Sequence, residues 1–302
     1  QKGLLSQYNK GGKERRKMEP LSRVIAVTGS YKGLGYEMLR QLCEREPNST
    51  LIMTARSADK MKTPLAKLQQ DHSSRAGRLV SSPLVIGDQS SHDQFKEWVK
   101  GNFGKLDVLV NNAGLYSTSQ VSVKETEAIM DSNFFGTMAL TLTLLPIIAD
   151  SGSIVFVSSG GGCFNRFSKE SLREELHSDS LTVDEILQFG HKYVNSRKSK
   201  SESTMGWSLN PYSNSKALLN AASRALAKTL HDRQIKVNTC CPGWCRTDMG
   251  GSMAPLSAAQ GVQTPLKLIA LPEEWDLNNT GHFWSNETRC DLIHGENLPG
   301  FQ

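Results

Sequence analysis

Short runs of β-branched residues alternate with amphipathic helical patterns along most of this chain, and that order leaves few folds open. Strand, helix and strand in succession make a βαβ unit, and repeated units build a parallel sheet covered by helices on both faces. RVIAVT (23–28) reads as the first strand, followed by a helix from Gly33 to about Glu46. STLIMTA (49–55) is the second, with a lysine-rich amphipathic helix after it. LVSSPLVI (79–86) is a weaker third because Pro83 interrupts it. A helix through Phe95 and Trp98 leads to LDVLVN (106–111), a fourth, buried strand. A long apolar helix around Phe134 precedes SIVFVSS (153–159); KVNTCC (236–241) is the sixth strand, and HFWS (282–285) a candidate seventh.

Residues 163 to about 209 break the alternation. They are polar, with helical patterns in KESLREELH (169–177) and TVDEILQFGHKYV (182–194) that the run NSRKSKSEST then ends. A loop between helix and strand normally runs about 2–6 residues, so this segment is an insertion or a lid. No composition shift marks a second core, which predicts a single domain over 21–290 with a short tail at 291–302. Much of the formal charge of +5 sits in KGGKERRK (10–17), inside a basic tail (1–20) expected to be disordered. That charge is too mild to argue for nucleic acid. The longest apolar run, FFGTMALTLTLLPII (134–148), is too short for a bilayer and carries Pro146, so it reads as a buried helix and no membrane association is expected. With no signal peptide apparent, the six cysteines predict reduced, buried thiols in a cytoplasmic protein. The seven histidines form no i,i+4 pair and lie near no Cys/Asp cluster, so no metal site is expected.

The first strand runs into TGSYKGLG (28–35), with Gly29, Gly33 and Gly35 ahead of a helix. The first glycine lets the chain turn sharply off the strand. The others allow backbone and ligand to approach closely, and the helix N-terminus offers unpaired N–H groups to a pyrophosphate. Folds that prefer NAD place an acidic residue at the end of the second strand to bond the ribose 2′-hydroxyl. Here MTARS puts Arg56 there, and Lys32 lies inside the glycine loop. Two cations and no carboxylate suit a 2′-phosphate, hence NADPH; two solvated surface charges are the alternative.

Further along, NNAG (111–114), DSNFFGT around Asn133, VSSGGG, YSNSK with Tyr212 and Lys216, and PGWCRTDM (242–249) follow in order. Together with the glycine turn they resemble the short-chain dehydrogenase/reductase family over about residues 23–290. The resemblance implies a single-domain α/β Rossmann fold: a doubly wound, mostly parallel, seven-stranded sheet with a helical insertion before the tyrosine. It implies a catalytic set of Asn133, Ser159, Tyr212 and Lys216. It also implies cofactor contacts from Gly29, Tyr31, Lys32, Gly33, Leu34 and Gly35, from Arg56, from Asn112, Ala113 and Gly114, and from Pro242, Gly243, Cys245 and Thr247, with Tyr212 and Lys216 on the nicotinamide ribose. Ser158 is adjacent to Ser159, and neighbouring strand residues face opposite ways; the family motif maps onto Ser159. An ungapped match puts Val85 where relatives carry an adenine-contacting Asp or Asn, and Asp88, three residues on, is the candidate replacement. The insertion and the segment NTCCPGWCRTDM resemble the monomeric carbonyl reductases, which implies a monomer.

Reducing a carbonyl needs a hydride on carbon and a proton on oxygen. Tyr212 and Lys216, at i and i+4, face one side of a helix. The ammonium is expected to lower the phenol's pKa so that Tyr212 serves as general acid. Ser159 would donate to the developing oxyanion, and Asn133 would hold a water linking Lys216 to solvent. Tyr116, Trp244 and Met249 are candidates for an apolar substrate pocket, which suits ketones, aldehydes and quinones. Two other readings stay open: a hydroxysteroid- or prostaglandin-type dehydrogenase working oxidatively, and a catalytically silent NADP-binding regulator.

Overall fold

The computed structural model describes residues 22–116, 121–270 and 279–293. The basic run 10–17 and most of the tail after 290 lie outside them. In chain order the elements are β1 (Val24–Val27), α1 (Gly33–Arg45), β2 (Thr50–Ala55), α2 (Asp59–Asp71), β3 (Leu79–Pro83), α3 (Gln89–Phe103), β4 (Leu106–Asn111), α4 (Val123–Met130), α5 (Gly136–Leu144) and β5 (Ile148–Val157). There follow α6 (Glu170–His177), α7 (Val183–Lys198), α8 (Glu202–Met205), α9 (Pro211–Thr229), β6 (Lys236–Cys241), α10 (Ala258–Gly261), α11 (Gln263–Ile269), β7 (Phe283–Ser285) and β8 (Thr288–Cys290).

One sheet holds all the strands in the order β3-β2-β1-β4-β5-β6-β7-β8, parallel through β7. The order reverses between β1 and β4, so a crevice opens there at the carboxyl ends of the strands. The central strands are buried on both faces, and two separate cores explain why. Phe95, Phe134, Phe156 and Leu218 belong to the core on one side; Leu39, Leu42, Met53 and Leu266 belong to that on the other.

The sheet corrects the expected count of seven strands. An eighth, β8, pairs antiparallel with β7 through a tight turn in which Asn286 and Glu287 take positive φ of 50° and 60°. The third strand ends at Pro83 and not at residue 86. It is an edge strand, where a missing N–H breaks no second ladder. β5 begins at Ile148, earlier than the sequence reading places it, and stops at Val157, before the serine pair. The apolar helix is also longer than its most apolar run. From Val123 to Ile147 the chain is continuously helical, with a π-turn over Asp131–Phe135. By length and composition that stretch is apolar enough to cross a bilayer, yet its side chains pack into the sheet's core.

In the insertion, α7 continues through NSRK to Lys198, four residues past the predicted end, and the break falls at Ser199–Ser201 with Lys200 at φ 56°. Thr182 and Glu185 form a capping box that starts α7. The insertion is knit together by Trp207, whose ring meets Phe167 at 5.6 Å, Tyr193 at 5.4 Å and Phe189 at 6.5 Å. Arg197 and Glu202 add an ion pair that is nearly buried, and Arg197 also donates to the Val121 carbonyl at 2.9 Å.

Candidate active site

The glycine turn is built by close approach. Gly29 has φ +61°, and a Cβ there would lie 3.0 Å from the Ala113 Cβ. One at Gly35 would lie 2.7 Å from both the Ser30 Cα and the Asn112 amide nitrogen. Thr28 locks the two loops together: its Oγ1 accepts from the N–H groups of Asn112 and Ala113, both at 2.9 Å. Gly33, at φ +57°, faces Thr247 across the cleft. At the head of α1 no side chain caps the helix and no acidic residue sits in the first turn. Its free N–H groups and positive dipole end therefore point into the crevice, which fits a pyrophosphate.

Cations gather beside this turn. Arg56 is exposed at the end of β2. Two ammonium groups lie near the ring of Tyr31, with Lys32 Nζ 5.7 Å and Lys60 Nζ 5.5 Å from its centroid. Lys60 was not among the predicted contacts; its place one residue into α2 was the only signal. Lys32 also forms a 2.6 Å ion pair with Asp248 of the loop after β6, and both side chains are exposed. This set, free of a carboxylate on β2, fits a 2′-phosphate. Asp88 caps α3, accepting from Ser90 N–H at 2.9 Å and Ser91 N–H at 3.3 Å.

Asn210 starts α9, its Oδ1 accepting from Tyr212 N–H at 2.9 Å, with Pro211 in the first helical position. That cap sets Tyr212 at the helix mouth and Lys216 one turn deeper. Lys216 is 5% exposed; its Nζ donates to the Val157 carbonyl at 2.8 Å and lies 5.7 Å from the Tyr212 ring centroid. The two serines after β5 diverge as strand geometry requires. Ser159 lies beside the Tyr212 phenol, where it offsets part of the effect of burial on that group. Its Oγ accepts from Gly161 N–H at 3.0 Å. Ser158 turns the other way, toward the Lys216 carbonyl at 3.4 Å. Gly162 allows the turn after Ser159 to lie on α9: a Cβ there would come within 2.7 Å of the Lys216 backbone.

Asn133 sits in the π-turn, 1% exposed. Its Oδ1 accepts from Leu115 N–H at 2.7 Å, and its Nδ2 donates to the Leu115 carbonyl at 2.8 Å and to Ser215 Oγ at 3.1 Å. The side chain is thus committed to holding the loop after β4. Gly114 is packed between this amide and Lys216 Nζ, 3.2 Å and 3.7 Å from where its Cβ would lie.

One expectation fails on electrostatics. The Tyr212 phenol is not lowered: burial pushes it up to about 12, partly offset by the neighbouring Ser159. Burial likewise pushes Lys216 down to about 8. The ammonium is turned to the Val157 carbonyl, and desolvation dominates both groups.

The loop after β6 carries the remaining predicted residues. Pro242 and Gly243 leave the strand, Gly243 with φ +77°. The Cys245 thiol is turned inward onto the Pro242 carbonyl at 3.2 Å, so only its backbone is available to a ligand. Trp244 is 53% exposed with its indole N–H bonded to the Gly250 carbonyl at 2.8 Å, which excludes a core-packing role; Met249 is also exposed. Tyr116 meets the Tyr212 ring edge-on at 5.1 Å. Among the described residues, no group of three or more His, Cys, Asp or Glu could hold a metal. A cavity of about 480 Å³ lies elsewhere, beside Arg224 and Lys228, three turns or more along α9 from Tyr212.

A glycine turn at the switch point of a parallel sheet, with a tyrosine–lysine pair facing it, defines a dinucleotide-dependent oxidoreductase. The family model described as short chain dehydrogenase matches residues 23–171, and that described as enoyl-(acyl carrier protein) reductase matches 182–279. The sequence is 33% identical over 260 residues to carbonyl reductase [NADPH] 1 of Bos taurus, covering 83% of this chain and 92% of that protein. It is 32% identical over 266 residues to carbonyl reductase [NADPH] 3 of Homo sapiens, covering 85% and 94%. The fold is similar to salutaridine reductase from Papaver somniferum, with a TM-score of 0.78 and 26% identity over 87% of this chain and 99% of that one. The chain belongs to the short-chain dehydrogenase/reductase family.

Proposed function

We propose that this protein is an NADPH-dependent carbonyl reductase acting on ketones, aldehydes or quinones, with Tyr212 as the proton donor. The observation that carries the reading is the Tyr212 ring set at the helix mouth 5.7 Å from the ammonium of a buried Lys216, with Ser159 beside the phenol. A phenol pushed up to about 12 keeps its proton at neutral pH, which is the form that donates. Bound NADPH would supply the hydride to the carbonyl carbon. Ser159 and Tyr212 would share the carbonyl oxygen, Ser159 by a hydrogen bond that strengthens as charge develops there and Tyr212 by giving up its proton. Lys216 would hold the nicotinamide ribose and replace the proton Tyr212 gives up. The Asn133 side chain is occupied, so any water it contributes to that relay would be held by its main-chain carbonyl, which a π-turn can free. Lys32, Arg56 and Lys60 would take the 2′-phosphate.

The relatives that match along most of the chain carry the name carbonyl reductase [NADPH], which supports the same direction of reaction. The packing of α7 against α9 and α4, with Phe189 and Tyr193 buried, supports a monomer, because that face of α9 is covered within the chain. We place the enzyme in the cytoplasm, with small-molecule partners only. The test is a panel of ketones, aldehydes and quinones with each nicotinamide cofactor. Oxidation of NADPH in preference to NADH is the expected result. Equal use of both would overturn the cation assignment, and NADPH binding without oxidation on any substrate would favour a silent regulator.

A further inference from the structure

The cavity of about 480 Å³ beside the end of α9 lies apart from the catalytic arrangement. It opens where residues 280–282 lead into β7, at the amino ends of the strands, whereas the dinucleotide crevice lies at their carboxyl ends. Arg224, on its wall, follows Tyr212 on the same helix at a distance of about 18 Å, taking 1.5 Å per residue. The volume falls within the roughly 300–1,000 Å³ of small-molecule sites.

One wall is fixed in advance. Thr280 Oγ1 accepts from the Val237 N–H at 2.9 Å, the Gly281 N–H donates to the Val237 carbonyl at 2.8 Å, and the His282 N–H donates to Asn238 Oδ1 at 3.1 Å. Gly281 holds φ +78°, and a Cβ there would lie 3.5 Å from the Ala227 Cβ. Two of the smallest side chains therefore meet on the lining and leave the space open. Phe283 and Leu292 add apolar surface beside them.

At the rim, two cations from α9 converge on one carboxylate. Arg224 Nη2 and Lys228 Nζ each donate to Asp179 Oδ1 at 2.9 Å, and Lys228 also reaches the Asp179 main-chain carbonyl at 2.6 Å. The Arg224 side chain is 17% exposed and that of Asp179 is 80% exposed. A guanidinium largely removed from water is thus balanced by a carboxylate that stays in it, and exposed pairs of this kind have little net strength. The two cations are set to take a carboxylate oxygen, and the one they hold is easily displaced. Asp291, the second carboxylate on the lining, accepts from the Ile293 N–H at 2.9 Å.

We propose that this cavity is a second small-molecule site, separate from the active site, for an organic carboxylate with an apolar body. The ligand's carboxylate replaces the Asp179 side chain on Arg224 and Lys228, and its body lies against Phe283 and Leu292. Asp179, on the connection between α6 and α7, is then an internal competitor for the site.

The test is calorimetric titration of the NADPH-loaded full chain with cinnamate, with methyl cinnamate as the uncharged control. Wild type should bind cinnamate, and Asp179→Ser should bind it about three- to fivefold more tightly, because the competing ion pair is gone. Arg224→Gln should weaken binding at least about tenfold, as expected for a charge-assisted hydrogen bond. Lys228→Gln should weaken it about threefold; its side chain is half exposed, so it gives the same reading if Arg224→Gln unfolds the insertion. Methyl cinnamate should bind more weakly and respond to none of these changes. Saturating cinnamate should leave the KM for fluorenone, a ketone, unchanged. Equal affinity in wild type, Asp179→Ser and Lys228→Gln, no binding at all, or a rise in the ketone KM as from an active-site ligand would overturn the proposal. The titrations need no turnover, so they decide the matter even if the protein reduces no carbonyl.

Discussion

Replacing Lys216 with methionine should make the protein more stable while removing its activity. The lysine is 5% exposed and its ammonium has one hydrogen bond, to the Val157 carbonyl at 2.8 Å. Burial holds its pKa at about 8 against an ordinary 10.5. That difference corresponds to about 3 kcal/mol of penalty for carrying the charge inside the fold. Loss of the bond to Val157 returns roughly 1–2 kcal/mol of it, so the net gain at pH 7 is on the order of 1–2 kcal/mol. The pH dependence gives a sharper signature. Below about pH 8 both the native and unfolded chains hold the proton, and the full penalty applies. Between about 8 and 10.5 the unfolded chain keeps a proton the native protein has lost, so native stability rises with pH across that window. Urea unfolding of the cofactor-free enzyme and of Lys216→Met at pH 7, 8, 9 and 10 reads both effects. A variant less stable than wild type at pH 7, or one with the same rise between pH 8 and 10, would refute the reasoning.

Other outcomes follow from single contacts. Asp248→Asn frees Lys32 from its exposed ion pair and should tighten NADPH up to about fivefold, leaving NADH unchanged in fluorescence titration; weaker NADPH binding would count against a competing role for Asp248. The rate of carbonyl reduction should hold steady below about pH 7 and fall above about pH 8, where Lys216 loses its proton. Tyr212, pushed up to about 12, stays protonated throughout that range, so a rate that climbs between pH 8 and 9 would contradict this assignment. Glu202→Gln leaves the nearly buried Arg197 guanidinium without its counter-charge and should cost roughly 3 kcal/mol of stability, read from the urea midpoint; a loss below about 1 kcal/mol would argue against that pair as an anchor of the insertion.

The fold was legible wherever burial on both faces forces a β-branched run. LDVLVN and KVNTCC coincide with β4 and β6 to the residue. The start of β5 was not, because Ala149–Ser153 includes exposed polar residues and a serine at positive φ, with no apolar run to signal a strand. β8 is three residues long, mostly exposed and at an edge, so it has little hydrophobic pattern to display. In the candidate site, Tyr212 and Lys216 could be paired from helical spacing alone, and Ser159 could be preferred to Ser158 from the motif. The bond of Ser215 to Asn133 and the pairing of Lys32 with Asp248 join residues far apart in sequence, where no local pattern operates. The direction of the Tyr212 shift was missed for a related reason. A neighbouring charge can be seen in the sequence, whereas desolvation depends on what the folded chain buries.

The most direct measurement is single-turnover reduction of fluorenone by NADPH-loaded wild type and Tyr212→Phe, with NADPH affinity titrated in parallel. The phenylalanine keeps the ring against Tyr116 and removes only the hydroxyl beside Ser159. With Tyr212 as the acid, the variant binds NADPH as wild type does and forms alcohol at least about 10³-fold more slowly, of the order expected for losing a general acid. Alcohol formed at the wild-type rate would contradict it.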